Sequence, residues 1–382
     1  MKADKMNFDH IRPYYDEELP ENLKNLVEDD NFEKISKFIY PDKPVEEVKK
    51  FLLSIKTVDE LQKKVSLYVV EKILEKTSTS FTYQGIENFK EPQLIISNHR
   101  DIVLDSALLQ KVLVENNITT SQITAGSNLT ENVLFEQISK MNKMFTLFRG
   151  GGRLEMYKNA LLHSEYIHYV IEERKESLWI AQRDGRTKDG ADKTQQGLIK
   201  MLIGPNKDII QSLKSLNIIP MSISYEFEPC APSKIKQIYI SQHTDYVKKK
   251  GEDMKNVVNG MLAFKGNIHL AFGKPLNPFL EQISKENYTD NEIVEKVIAY
   301  IDGEIYRTFK FWPNNYIAYD YFYNNRYKHK YTQEQKEKFF KYVDETINKV
   351  NIDNKEDLKT ILIRIYANPV INYFSFKDEK DF

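Results

Sequence analysis

Short apolar runs alternate with longer amphipathic stretches through the middle of this chain. The runs, which are typical of buried strands, are residues 94–97, 123–125, 144–148, 177–181, 218–225 and 267–272. The stretches with apolar residues at helical spacing are residues 106–115, 133–141, 155–173 and 195–202. Strands that alternate with helices predict an α/β fold, with a central mixed sheet flanked by helices.

Helical patterns flank this middle region on both sides. Before it, residues 18–75 carry apolar positions at spacings of three and four, and a Thr-Ser run at residues 77–80 ends that part. After it, residues 285–382 are rich in Tyr, Phe, Asn and Lys and contain no glycine beyond Gly303. We therefore expect three parts, which are a helical N-terminal bundle (1–80), an α/β domain (81–284) and a helical C-terminal subdomain (285–382).

Composition and charge exclude several classes of protein. The 382 residues carry 55 Lys and Arg against 56 Asp and Glu, so the net charge of -1 creates no overall field that attracts nucleic acid. A single cysteine, Cys230, rules out an intramolecular disulfide and is consistent with a reducing compartment. The N-terminus lacks a secretory pattern, and no window reaches the roughly 20 apolar residues of a membrane-spanning helix. We expect a cytoplasmic protein that contacts the inner face of a membrane only peripherally.

Residues 94–109 are the strongest candidate for chemistry. An apolar strand leads into Asn98 and His99, and Asp105 stands where a helix begins. An imidazole accepts a proton near neutral pH, and a carboxylate on its other nitrogen fixes the tautomer. The same pattern also fits a turn histidine followed by an aspartate that caps the helix. Asp101 competes with Asp105 as the partner of the histidine.

Two further loops combine cationic side chains with glycines. The apolar run 144–148 ends at Arg149, which three glycines follow. The loop after the run 177–181 contains Asp184, Gly185, Arg186 and Lys188. Glycines let backbone amides approach a ligand, and guanidinium groups bind phosphate in a bidentate manner. Each loop alone also fits a solvated turn. Pro220, in the run 218–225, fits either the wall of a site or the start of a strand.

Taken together and in order, these blocks resemble the glycerol-phosphate acyltransferases, which include glycerol-3-phosphate and 1-acyl-glycerol-3-phosphate acyltransferases. That family carries an Asn-His-x4-Asp block, an apolar strand ending in Arg, a Glu-Gly-x-Arg loop and a Val/Ile-Pro strand. The similar positions here are Asn98, His99 and Asp105, then residues 145–149, then Asp184, Gly185 and Arg186, and finally Ile219 and Pro220. The resemblance covers residues 81–275, about half of the chain.

The chain differs from the family pattern in the spacing of two blocks. Asp105 follows His99 by six positions instead of five, which a loop absorbs as one inserted residue. In the third block, Asp184 stands two positions before Arg186 instead of three, and Arg183 occupies the usual acidic position. This shift weakens the expectation that Asp184 contacts the acceptor.

The resemblance implies transfer of a fatty acyl group from acyl-CoA or acyl carrier protein to a hydroxyl of glycerol-3-phosphate or 1-acyl-glycerol-3-phosphate, in phospholipid synthesis. His99 would act as the general base, and Asp105 would orient it. The acceptor would be bound by Asn98, Arg149, Asp184, Gly185, Arg186, Lys188 and Pro220. No metal and no resident cofactor are expected, because a thioester is already activated and no cysteine-histidine cluster has zinc-ligand spacing.

Other classes of function remain open from the sequence. A hydroxyl of a bacterial aminolipid is an alternative acceptor for the same histidine chemistry. A metal-dependent phosphohydrolase that uses Asn98, His99, Asp101 and Asp105 is a second alternative, and a non-catalytic lipid-binding scaffold is a third. The chain has no Gly-x-Ser-x-Gly elbow of a serine hydrolase, and residues 185–190 lack the Lys-Ser/Thr of a P-loop.

Two further segments each have two interpretations. Residues 248–250 are consecutive lysines that either are solvated or contact acidic headgroups or an acidic carrier protein. Residues 309–331 are dense in aromatic side chains, which either pack in a core or anchor the protein at a membrane interface.

Overall fold

A mixed sheet of seven strands forms the centre of the molecule, with helices on both faces. The structure, a computed structural model, describes residues 7–129, 133–205 and 208–378. The strands are β1 (Ser78–Gln84), β2 (Leu94–Ser97), β3 (Gln122–Gly126), β4 (Met144–Leu147), β5 (Leu178–Ala181), β6 (Ile219–Tyr225) and β7 (Gly266–Phe272). The predicted α/β class with a central mixed sheet is confirmed.

Helices precede, connect and follow the strands. Before β1 lie α1 (Leu19–Glu28), α2 (Phe32–Ile39), α3 (Val45–Ser54), α4 (Val58–Leu61) and α5 (Leu67–Thr77). Between β2 and β7 lie α6 (Leu104–Glu115), α7 (Val133–Met141), α8 (Arg153–His168), α9 (Gln196–Ile203), α10 (Ile209–Ser215), α11 (Ala231–His243) and α12 (Glu252–Leu262). After β7 follow α13 (Asn277–Ile283), α14 (Asp290–Thr308), α15 (Pro313–Phe322), α16 (Gln333–Asn348) and α17 (Lys355–Asp378).

The strand order is β1-β7-β6-β2-β5-β3-β4. The five strands from β6 to β4 are mutually parallel, whereas β7 runs antiparallel to β6, and β1 is parallel to β7. Five strands therefore end at one edge of the sheet, which we call the carboxyl edge, and β7 begins there. Loops at this edge of parallel sheets are where α/β proteins place their ligands.

The central strand β2 shows why a short apolar run forms a strand here. All four of its residues are buried, as expected for a parallel strand that is covered on both faces. Because side chains alternate along a strand, Leu94 and Ile96 enter the core beneath α8, α9 and α14, whereas Ile95 enters the core beneath α5 and α6. The sheet thus has two apolar layers.

Two further apolar clusters lie outside the sheet. The N-terminal helices α1 to α4 pack around Leu23 and Leu52, and Met141 of α7 closes that cluster. The C-terminal helices α15 to α17 pack around Phe339 and Leu362, together with residues of α11. In the described ranges, no helix is both long enough and apolar enough to cross a membrane.

The sequence patterns did not predict β1 and four of the helices that complete the fold. β1 follows α5 directly, within the Thr-Ser run that was expected only to end the helical part. Its sequence is polar because it is an edge strand with an alternating, largely exposed surface. The helices α10, between β5 and β6, α11 and α12, between β6 and β7, and α13, after β7, were also not predicted. Among the aromatics of residues 309–331, Phe309, Trp312 and Tyr319 are buried, which corresponds to core packing.

Candidate active site

The loop after β2 brings His99 into contact with Asp105. The Nδ1 atom of His99 lies 2.8 Å from Oδ2 of Asp105, which is in the first turn of α6. Asp101 has a different role, because its Oδ1 accepts the backbone N–H groups of Val103 and Leu104 at 3.0 and 2.8 Å. Asp101 therefore caps the start of α6, and Asp105 is the partner of the histidine.

Hydrogen-bond donors surround the carboxylate of Asp105. The side chain is completely buried, but Oδ2 also accepts the N–H groups of Arg100 and Asp101 at 2.5 and 2.9 Å. Oδ1 accepts the hydroxyl of Tyr225 at 2.6 Å. Burial, and then the nearby carboxylate of Asp105, raises the pKa of Tyr225 well above its usual range. Since the carboxylate is an acceptor here, Nδ1 of His99 donates and Nε2 is left as the basic nitrogen.

The histidine is held in one orientation by its neighbours. Its side chain is 13% exposed, and its ring meets Trp179 of β5 edge to face at 5.5 Å. The Asn98 side chain is buried and exchanges two hydrogen bonds with the backbone of Ile223, at 2.8 and 3.0 Å. The amide of Asn98 therefore ties the loop to β6, and both of its hydrogen-bonding atoms are already in use.

A buried ionic cluster supports the residue that follows His99. The guanidinium of Arg100 binds Asp192 and Glu228, and the Glu228 carboxylate also binds Lys234. The ammonium of Lys234 donates to the carbonyl of Arg100 at 2.8 Å. Burial opposes the charge of Arg100, but Asp192 and Glu228 prevail and raise its pKa. The two cations and two anions neutralise one another and fix the backbone beside His99. Substitution of any one of them would leave an unpaired buried charge and destabilise the fold.

No member of this cluster was predicted from the sequence. Arg100, Asp192 and the segment that carries both Glu228 and Lys234 lie far apart in the chain, and none of them belongs to a motif. The position of Arg100 after the buried strand β2 could have indicated this cluster, because a buried charged side chain needs a partner of opposite charge.

Cationic side chains gather in the loop after β5. The pKa of Lys188 is lowered by burial and then by the charges of Lys248, Arg183 and Arg186. In the described part of the chain, Nε of Arg183 and Nη1 of Arg186 are buried without a hydrogen-bond partner. We call these four residues the cation cluster. Lys248 is already paired with Asp253 at 2.8 Å, whereas the unused donors of Arg183 and Arg186, with Lys188 beside them, favour an anion.

Arg149 and Asp184 meet each other across the carboxyl edge. Nε of Arg149 lies 3.0 Å from Oδ1 of Asp184, and Nη1 donates to Asn128 at 3.3 Å. Both partners of the ion pair are solvent-exposed, at 36% and 66%. Gly185, the next residue, has a φ of +69°, a conformation that glycine adopts without strain. The ion pair between Arg149 and Asp184 thus connects the loop after β4 with the loop after β5.

Pro220 does not reach this group of residues. It pairs with Ile96 near the start of β6, whereas Ile223 of the same strand contacts Asn98. At about 3.3 Å per residue, Pro220 lies roughly 10 Å further from the carboxyl edge than Ile223. Its side chain is buried within the sheet.

An apolar cavity lies against the first turns of α6. Its volume is about 250 Å³. Val103 and Leu104, which directly precede Asp105, form part of its wall, and Val70 of α5 and Ile123 of β3 face them. The helix that carries Asp105 therefore separates the carboxylate from an apolar space.

Comparison with known proteins gives little beyond these features. No protein-family model matches the chain, and no curated protein matches it. Among solved structures, it is similar to the 1-acyl-sn-glycerophosphate (LPA) acyltransferase PlsC from Thermotoga maritima, with a TM-score of 0.32 and 13% identity over 77% of this chain and 97% of that chain. The chemistry of the site must therefore be inferred from its own side chains.

Proposed function

We propose that this protein is an O-acyltransferase that moves a fatty acyl group from a thioester to a hydroxyl, with His99 as the general base. The observation that carries the proposal is the His99–Asp105 pair at the carboxyl edge, close to an apolar cavity and to the cation cluster. Such a combination provides a base, a space for an alkyl chain and an anion site.

In the proposed reaction, Nε2 of His99 removes the proton of the acceptor hydroxyl while the oxygen attacks the thioester carbonyl. The carbon–sulfur bond then breaks, and the departing thiolate takes the proton from the imidazolium. Asp105 stays ionised throughout and stabilises the imidazolium through the 2.8 Å contact at Nδ1. No covalent intermediate with the protein is needed.

The proposed acceptor is glycerol-3-phosphate or 1-acyl-glycerol-3-phosphate, and the reaction belongs to phospholipid synthesis. The unused donors of Arg183 and Arg186, with Lys188 beside them, support this choice because they suit a phosphate group. A bound phosphate also positions the neighbouring hydroxyl, which contributes to rate as well as to affinity.

We also propose a peripheral contact with a membrane at the start of α8. Leu154, Met156 and Tyr157 are exposed there at 68%, 56% and 61%. Arg149 and Arg153 lie beside them in the chain. Apolar side chains flanked by cations suit the interface of an anionic membrane, where a lysolipid acceptor would be found.

The test is thiol release from long-chain acyl-CoA by the wild-type protein and by His99→Ala. Glycerol-3-phosphate, lysophosphatidate and a hydroxylated aminolipid are offered in turn as acceptors. We expect release that depends on one of the two phosphate acceptors and falls by about 10²- to 10⁴-fold in the variant, because a general base contributes that much. Thiol release that depends on the aminolipid alone would show that the acceptor is an aminolipid hydroxyl, and it would still support acyl transfer.

The matched control is His329→Ala, which removes an exposed histidine. It should leave thiol release unchanged, and far-ultraviolet circular dichroism should show that both variants are folded. Absence of release from acyl-CoA and from acylated carrier protein with every acceptor would contradict the proposal. So would release that persists fully in folded His99→Ala.

A further inference from the structure

A second cleft, larger than the apolar cavity, lies between α11 and α12 on one side and α16 on the other. Its volume is about 1040 Å³, and seven lysines are among the residues that line it. Lys249 and Lys250 stand on one wall, and Lys341 and Lys349 stand on the opposite wall. We call this space the lysine cleft.

The positive charge of the lysine cleft is largely unneutralised. Within the ranges that the structure describes, none of its seven ammonium groups forms an ion pair with a carboxylate. Glu252 and Glu345 are its acidic wall residues, and Glu252 already accepts the hydroxyl of Tyr246 at 2.5 Å. Glu228, the third acidic residue that lines the cleft, is neutralised by Arg100 and Lys234. Since the whole chain has a net charge of -1, this concentration of cations is local.

One lining residue of the lysine cleft contacts the loop that carries His99. Glu228, which lines the cleft, binds the guanidinium of Arg100, the residue after His99. Gly260 of α12 packs so closely on this loop that a β-carbon there would overlap Oδ2 of Asp101. Glu228 and Gly260 therefore place the lysine cleft next to the loop that carries His99.

From these contacts, and resting on the acyl transfer proposed above, we propose that the lysine cleft binds the nucleotide end of coenzyme A. The three phosphate groups of that nucleotide match opposed walls of lysines. Phe264, 53% exposed at the cleft, offers an aromatic face on which the adenine can stack. The pantetheine arm then extends from the cleft to His99, and it brings the thioester carbonyl to the carboxyl edge.

The shape of the cleft favours a small molecule over a carrier protein. A protein partner needs about 800 Å² of surface on each side, which is usually flat or gently curved. The cations here line a concave space whose volume lies at the upper end of the range for small-molecule sites. The donor inferred from this arrangement is acyl-CoA.

The test measures binding of free coenzyme A by isothermal titration calorimetry, without any acceptor. The variant Lys249→Ala/Lys250→Ala/Lys341→Ala removes cations from both walls. The matched control is Lys24→Ala/Lys34→Ala/Lys285→Ala, which removes three exposed lysines outside the cleft. We expect the cleft variant to raise the Kd by about tenfold or more, because charge-assisted contacts are lost. The control should bind as the wild type does.

Dephospho-coenzyme A, which lacks the 3′-phosphate, should bind more weakly than coenzyme A to the wild type and equally to the cleft variant. Coenzyme A binding that the cleft variant retains in full would overturn the inference, and so would binding of a carrier protein alone at these lysines. Acyl transfer with an unchanged KM for acyl-CoA in the cleft variant would overturn it while leaving the acyltransferase proposal intact. Coenzyme A binding that depends on these lysines, without any acyl transfer, would support the lysine cleft as a coenzyme A site and contradict the acyltransferase proposal.

Discussion

At the scale of single residues, two aspartates four positions apart have different surroundings. Asp105 has four donors around it, which are His99, Tyr225 and two backbone N–H groups. Asp101 uses one oxygen as a helix cap, and its Oδ2 has no partner among the described residues. Burial, and then the charge of Asp105, raises the pKa of Asp101. The hydrogen bonds therefore distinguish Asp105, whereas burial disfavours the charged form of Asp101.

This difference predicts that Asp105→Asn and Asp101→Asn behave differently. Asparagine at position 105 cannot accept from every donor there, and the imidazolium loses its counter-charge. We expect kcat/KM for acyl transfer to fall by about 10²- to 10⁴-fold, measured as thiol release.

The control for this prediction is Asp101→Asn, which keeps an oxygen for the N–H groups of Val103 and Leu104 and loses only a charge that burial disfavours. Its kcat/KM should stay within about threefold of the wild-type value, a much smaller change than the decrease expected for Asp105→Asn. Equal losses in the two variants would show that the partner of His99 had been misidentified.

At the scale of elements, the loop from β5 to α9 carries most of the cation cluster and is tied at two points. The N–H of Thr187 donates to the carbonyl of His99 at 2.7 Å. Thr194 donates to Oδ1 of Asp302 in α14, from its N–H at 2.9 Å and from its hydroxyl at 2.5 Å. The C-terminal helix α14 thus helps to position a loop of the α/β domain.

The tie at Asp302 predicts a pH dependence of stability. Burial raises the pKa of Asp302 from 3.8 to about 6. A carboxyl whose pKa is raised in the folded state stabilises the fold below its unfolded pKa, and that stabilisation is lost as the pH rises through 6. Asp302→Asn keeps an oxygen for Thr194 and does not titrate. The free energy of unfolding of the variant minus that of the wild type should therefore increase by about 1.4 kcal/mol from pH 5 to pH 7.

Urea unfolding at the two pH values measures this difference. Asp290→Asn, at the exposed start of the same helix, is the control, and its difference from the wild type should not change with pH. A constant difference for Asp302→Asn as well would mean that the carboxyl titrates as a solvated one does.

At the scale of the whole molecule, the sheet and the C-terminal helices are joined through buried polar contacts. The hydroxyl of Tyr366 in α17 accepts the N–H of Glu228 at 2.6 Å, and Glu228 in turn binds Arg100 beside His99. Residues of α11 also pack in the apolar cluster of α15 to α17. Because the residues around His99 depend on both parts, we expect them to unfold together.

The two tryptophans test this coupling. Trp179 lies in β5, and Trp312 lies at the start of α15. In urea, the fluorescence of Trp179→Phe reports on the helical part, and that of Trp312→Phe reports on the sheet. Each variant should show one transition, with the same midpoint by fluorescence and by circular dichroism. Two separated midpoints within either variant would show independent units.

The fold was predictable where burial leaves a local pattern. β2 and β6 are wholly buried, so their sequences are mostly apolar and contain only a few small polar residues. β1 was not predicted, because its sequence is polar. It is an edge strand that is stabilised by pairing with β7, which lies far along the chain.

The candidate site was predictable to a similar, limited extent. His99 and Asp105 were identified from residue type and proximity in sequence, and their contact is local. The partners of Arg100 were not, since Asp192 and Glu228 lie in distant loops and Lys234 lies in α11. The structure shows the side chain of Asn98 bonded to β6 and Pro220 inside the sheet, and the substrate-binding role assigned to these two residues stays a prediction.

The sequence by itself determined the α/β class and the histidine-aspartate pair, because burial periodicity and short-range hydrogen bonds are properties of neighbouring residues. Only the tertiary structure decided which charges meet. The cation cluster, the ionic support of Arg100 and the lysine cleft each combine side chains that are distant in sequence. Charge interactions depend on distance in space and on burial, and neither is defined until the sheet and its helices have packed.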